Sequence, residues 1–271
     1  MPEIIALTTD FGTTGSYVAQ MKGVILGVAP DVRIVDVTHA ISPQDVAEGA
    51  LLLAECVSAF PPGTIHVVVV DPGVGTTRRI VAAEIGDWRF VAPDNGVLSA
   101  VARRHDVRRV VELTDARWWR AAISSTFHGR DIMAPVAARW ATGVDPIEFG
   151  RPVEGPLRCL AFVEPRTSGN AIVGQVARCD AFGNLITNVP GWWFAKDAEQ
   201  VIVTVRGRTL SGLCRTYGDV PPGEPLALVG SHGFVEIAVN QGDARAVLEA
   251  RVGSEVRIER GTRADDMGTR A

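Results

Sequence analysis

Residues 65–71 read Ile-His-Val-Val-Val-Val-Asp, and Gly73, Gly75, Arg78 and Arg79 follow at once. A β-branched run of this kind is a strand buried on both faces, which requires a layer on each side of its sheet. Open α/β sheets bind ligands in the crevice beyond the carboxyl ends of such strands. The charged residues stand at that point. A second segment, Ser125-Thr126-Phe127-His128-Gly129-Arg130-Asp131, sets a histidine and a charge pair just ahead of a long apolar helical pattern. Two such segments in one chain point to an enzyme.

The surrounding pattern agrees with an α/β first half. Strands are predicted at Ile4–Thr8, Arg33–Val37, 65–71 and Val107–Leu113, with a hairpin of Ile80–Glu84 and Arg89–Ala92 across Gly86-Asp87. Helices are predicted at Tyr17–Val28, Val97–Arg104 and Asp131–Ala141. Another starts at Ser42-Pro43, as N-cap and first-turn proline, and runs to about Phe60. Repeated βα units with short links predict a mainly parallel sheet with flanking helices, over residues 1–155. Pro152, Gly155, Pro156 and Pro165 mark a connection. Beyond it, short strands at 171–178, 184–189, 200–206, 225–229, 234–239 and 254–259, with a helix near Asp243–Ala250, predict a smaller β-barrel-like domain over 165–260. The polar stretch 261–271 is expected to be a disordered tail.

The formal charge of −4 over 271 residues, without a basic run, excludes a nucleic-acid surface. No apolar stretch approaches the roughly 20 residues of a membrane span, and Met1-Pro2-Glu3 leads directly into a strand. A cytoplasmic protein is expected. Cys56, Cys159, Cys179 and Cys214 lie far apart, without metal-ligand spacing, and are expected to be buried free thiols.

Gly73-Val74-Gly75 lacks the third glycine of a dinucleotide-binding turn, since position 78 is arginine, and no Gly-Lys-Ser/Thr follows to make a P-loop. Asp71 and Arg78 form either a structural ion pair or a pair that orients a water or a histidine. His128 either caps and packs or takes part in chemistry, while His39, His66 and His105 have no supporting constellation. No His/Asp/Glu cluster shows metal spacing. Asp10 closes the first strand and either holds sugar hydroxyls or makes an Asx-turn onto Gly12. In the second half, Asp180, Phe182, Asn184 and the Gly230-Ser231-His232-Gly233 turn read as plain hairpin turns or as a binding surface. In the latter, Phe182 stacks on a flat ring and Asn184 meets a base edge.

Taken together, Thr8-Thr9-Asp10-Phe11-Gly12, Asp71-Pro72-Gly73-Val74-Gly75-Thr76 with Arg78-Arg79, Pro93-Asp94-Asn95-Gly96, Phe127-His128-Gly129-Arg130-Asp131, Asp180 with Phe182–Asn188, and Ser231-His232-Gly233 resemble the S-adenosyl-L-methionine (SAM) hydroxide adenosyltransferases. The resemblance runs in order from about residue 3 to residue 260. It implies a SAM hydrolase giving adenosine and L-methionine, related to fluorinating and chlorinating enzymes. It also implies a homotrimer with SAM between the N-terminal domain of one subunit and the C-terminal domain of its neighbour.

By this resemblance Asp71, Arg78 and His128 are the catalytic trio, and the halogenating relatives carry other residues at the positions of Asp71 and His128. Asp10 would hold the ribose diol, with Phe127 beside the substrate. Phe182, Asn184 and backbone near Gln241 would take the adenine, and Asp180 and Ser231 the amino and carboxylate ends. Gly15 stands where many relatives carry an acid, and His232 replaces an arginine of the halogenating branch. Attack of hydroxide on C5′ of a sulfonium substrate releases a neutral thioether, so no metal or redox cofactor is expected. Two alternatives are a SAM-dependent halogenase and a SAM- or nucleoside-binding protein without turnover.

Overall fold

The computed structural model describes residues 3–260, and the tail expected at 261–271 lies outside the described residues. The chain divides between Leu160 and Ala161 into two compact units. The first contains β1 (Ile4–Thr9), α1 (Tyr17–Val28), β2 (Arg33–Thr38), α2 (Val46–Cys56) and β3 (Ile65–Val69). The hairpin β4 (Ile80–Ile85) and β5 (Trp88–Pro93) comes next, then α3 (Ser99–Ala102), β6 (Val107–Leu113), α4 (Ala134–Ala141) and β7 (Gly150–Pro152). One seven-stranded sheet results, in the order β2-β1-β3-β5-β4-β6-β7. β2, β1, β3 and β5 run parallel, and β4, β6 and β7 extend the sheet antiparallel.

Alternation along β3 explains its composition. Ile65, Val67 and Val69 join Ile5 and Leu7 in a core completed by Met21 and Ile25 of α1 and Val136 of α4. His66, Val68 and Val70 face the other way, where Val70 meets α2 at Gly49. There His66 lies between Phe60 and Phe90, with ring centroids 5.0 and 5.3 Å away. Burial alone pushes the His66 pKa down to about 4, so the ring is neutral.

Two helix starts differ from expectation. α2 begins at Val46 with Asp45 as its cap, accepting from Glu48 N at 2.8 Å; Ser42 and Pro43 remain outside the helix. The cause is Gln44, held at φ +67° while its N–H donates to Asp10 Oδ2 at 2.8 Å. Likewise, the chain from Gly129 to Met133 is a π-helical turn, and the regular helix starts only at Ala134. α3 is likewise shorter than the stretch predicted for it.

The second unit contains β8 (Arg166–Ser168), β9 (Ala171–Cys179), β10 (Leu185–Pro190), β11 (Val201–Val205), β12 (Arg208–Ser211), β13 (Pro225–Val229), β14 (Phe234–Val239), α5 (Ala244–Leu248) and β15 (Glu255–Arg260). The sheet order is β12-β11-β15-β9-β10-β14-β13, with β8 on β9. It nearly closes on itself: just past β12, Cys214 N donates to Ala227 O at 2.7 Å, and Cys214 bridges Leu228 of β13. Inward residues such as Val201, Val203, Val205, Val235, Ile237 and Val256 fill the barrel. The thiols correct one expectation. All four are free, but Cys159 is exposed and the other three are only half-buried.

Candidate active site

Parallel pairing puts Thr9 of β1 beside Val69 of β3, so Asp10 and Asp71 emerge at the carboxyl ends of neighbouring strands. After Asp71 the chain turns tightly, with Val74 N donating to Asp71 O and Thr76 Oγ1 to Gly73 O. Gly75, at φ +77°, lies so close to the Ser125 carbonyl that a Cβ would stand 2.3 Å from its oxygen. Only glycine permits that approach, which lays the Asp71–Arg78 loop against the segment carrying His128.

The three candidate catalytic groups meet here. Arg78 Nε donates to Asp71 Oδ1 at 2.6 Å, and Nη2 donates to Asp71 Oδ2. The same Nη2 stands 3.1 Å from His128 Nδ1. The Asp71 and Arg78 side chains are only 4% and 8% exposed. Burial lowers the His128 pKa, and the adjacent Arg78 charge lowers it further, against the opposing pull of Asp71 and Asp131. A guanidinium can only donate, so His128 Nδ1 accepts. The neutral ring therefore carries its proton on Nε2, and the trio presents N–H groups to a ligand.

The elements under His128 are braced by Asp131, which is fully buried. Burial would raise its pKa, but Arg130, the Ser124 amide and Arg120 outweigh that and hold it at about 2. Phe127 is buried edge-on against Phe11 and Tyr17, with the Arg130 guanidinium 4.8 Å from its ring centre. Asp10 makes no Asx-turn; Gly12 N donates instead to His39 O at 2.8 Å, and the Asp10 carboxylate takes the Gln44 amide.

In the second unit, Asp180, Phe182, Asn184, Ser231 and Gln241 line one cleft of about 770 Å³. Asp180 Oδ1 accepts the Phe182 and Asn184 amides at 2.9 Å, and its Oδ2 accepts Asn184 Nδ2 at 2.9 Å. This turn holds the Phe182 ring outward, 79% exposed. Residues without a sequence signal also line it. Glu236, 3% exposed, accepts Tyr217 OH at 2.8 Å and faces His232 Nε2 at 3.0 Å. Burial raises the Glu236 pKa, while the His232 and Tyr217 hydrogen bonds bring it below its usual value; Tyr217 is pushed up to about 12. Among the described residues no cluster of three or more His, Cys, Asp or Glu side chains is placed to hold a metal ion.

Residues 5–150 match the SAM hydroxide adenosyltransferase N-terminal domain, and residues 174–257 match the C-terminal domain of the same family. The chain belongs to this family. It is 41% identical over 261 residues to the (R)-S-adenosyl-L-methionine hydrolase of Salinispora arenicola, covering 95% of this chain and 98% of that protein. The enzyme of the same name from Thermus thermophilus is 39% identical over 258 residues, covering 92% and 97%. A fluorinase from Actinoplanes is 30% identical, covering 88% and 91%. The crystal structure of an uncharacterized conserved protein from Thermotoga maritima superimposes with a TM-score of 0.89 at 38% identity, covering 94% of this chain and all of that one.

Proposed function

We propose that this member of the family hydrolyses SAM to adenosine and L-methionine through attack of a water-derived oxygen on the ribose C5′. The observation that carries the reading is the convergence of Asp71, Arg78 and His128. With Nδ1 taken by Arg78, His128 directs Nε2–H at the nucleophile, and a free Arg78 N–H completes a two-donor cradle. Such a cradle lowers the pKa of the water it holds, so that the proton passes to bulk solvent and hydroxide remains to attack. Asp71 aims the guanidinium. The C5′–S bonding pair leaves on sulfur as a neutral thioether, so opposite charges vanish and the step needs no metal or redox cofactor. Holding the oxygen in line behind C5′ removes much of the entropic barrier.

Asp10 then takes the ribose diol, with Phe127 walling the pocket beside it. Phe182, Asn184 and the Gln241 backbone take the adenine, and Asp180 and Ser231 take the amino-acid end. The reactive trio belongs to one unit and the cleft to the other. A homotrimer that joins the first unit of one subunit to the second unit of its neighbour would complete the site. Among the described residues no helix is long and apolar enough to cross a membrane. Four unpaired cysteines fit a reducing cytoplasm.

Higher identity to the hydrolases than to the fluorinase, with the trio intact, favours water over halide. Incubation with SAM, with and without chloride or fluoride, tests this by chromatography. Adenosine and methionine are expected throughout. SAM returned intact, or 5′-halo-5′-deoxyadenosine as main product, would overturn the proposal.

A further inference from the structure

The Pro93-Asp94-Asn95-Gly96 turn has no part in the reaction above, yet its two polar side chains reach both ends of the loop carrying Asp71 and Arg78. Asn95 Nδ2 donates to the carbonyl of Val70, the residue before Asp71, at 2.8 Å. The orientation of that amide is fixed because its Oδ1 accepts from Val97 N at 3.1 Å. At the other end stands Arg79, the residue after Arg78. Its Nε donates to Asp94 Oδ2 at 2.9 Å and its Nη2 donates to the same oxygen. The Asp94 N–H returns a bond to Arg79 O at 2.9 Å, and Asp94 Oδ1 accepts the Arg158 amide at 2.8 Å. Asp94 is 3% exposed. Both residues directly follow β5, which is hydrogen-bonded to β3 on one side and β4 on the other.

We propose that Asp94 and Asn95 are positioning residues that clamp the Asp71–Arg78 loop at its two ends, keeping the Arg78 guanidinium against Asp71 and His128. The inference rests on the reading of that trio as the catalytic groups. A loop tethered only by its own turns samples many conformers, and a displacement of about 1 Å at reacting groups can lower a rate about 100-fold. Fixing both ends to a strand terminus removes that freedom. None of the residues proposed to hold SAM touches the clamp, so its loss should act on turnover.

The test compares Asn95→Asp, which replaces the donor facing Val70 O by an acceptor, with Asp94→Asn, which keeps shape but removes the charge facing Arg79. Each should lower kcat by about 10- to 100-fold, with the equilibrium Kd for SAM unchanged within about threefold. In ¹⁵N spectra the His128 Nδ1 resonance should move toward that of a free acceptor nitrogen. If Asp94→Asn does not fold, Arg79→Gln tests the same link from its half-exposed end. A merely structural role predicts a lower thermal midpoint with kcat and the His128 signal unchanged well below it, which overturns the clamp. Wild-type enzyme is assayed alongside. Absence of adenosine there removes the trio reading itself, whereas wild-type turnover with unaffected variants removes the clamp alone.

Discussion

At the scale of single residues, Arg78 is the hinge of the site because one nitrogen, Nη2, serves both Asp71 and His128. A lysine keeps the charge but has no planar fork to span the two partners. Arg78→Lys should therefore lower kcat by about 10²- to 10³-fold, the range for losing an oriented donor, with a much smaller change in SAM affinity, read by steady-state kinetics beside equilibrium binding. The pH profile follows from the His128 pKa, which burial and Arg78 lower below its ordinary value. Above that pKa the ring is neutral and Nδ1 accepts from Arg78. Below it, an Nδ1 proton confronts the guanidinium and the trio opens. The acid limb of kcat should thus have its midpoint below 6.5, the unperturbed histidine value, and ¹⁵N spectra should show the Nε2–H tautomer above it. A midpoint above 6.5, or the Nδ1–H tautomer, would contradict this geometry.

At the scale of elements, β3 combines a strand that positions Asp71 with a histidine that never meets the site. His66 titrates near 4 in the fold against about 6.5 unfolded. The unfolded chain therefore binds a proton that the folded chain refuses, and stability is complete above pH 6.5 and lost as pH falls toward 4. The loss amounts to about 3 kcal/mol. Denaturant midpoints at pH 7.5 and 4.5 should differ less in His66→Leu than in wild type. Equal pH dependence in both would refute it. Strands with strong patterns, such as 225–229 and 234–239, were legible from residues alone, and so was β3, although it ends at Val69 rather than at the predicted Asp71. β12 was not, because Arg208, Thr209 and Ser211 are exposed and only Leu210 is buried. The start of α2 was misread because Gln44 turns toward Asp10, a tertiary contact no local cap signal encodes.

At the scale of the whole molecule, the candidate site was more legible than its supports. Charged residues at strand ends and an exposed aromatic at a glycine turn are chemical signals, and the family resemblance assigned roles to them. Tyr217 and Glu236 gave none, since a buried acid on an alternating strand looks like any outward polar residue. If the working site joins two subunits of a trimer, mixing two inactive variants restores it. Asp71→Ala subunits co-assembled with Asp180→Ala subunits should recover roughly a quarter of wild-type turnover, from random pairing across symmetric interfaces. Turnover no higher than that of either parent would place both residue sets in a single subunit.

Hydrolysis of SAM in H₂¹⁸O, followed by mass spectrometry of both products, reads the bond that forms. One ¹⁸O atom in the 5′-hydroxyl of adenosine, with unlabelled methionine, is the expected result. Label in an amino-acid fragment alongside 5′-methylthioadenosine, or adenosine without label, would contradict attack of water at C5′.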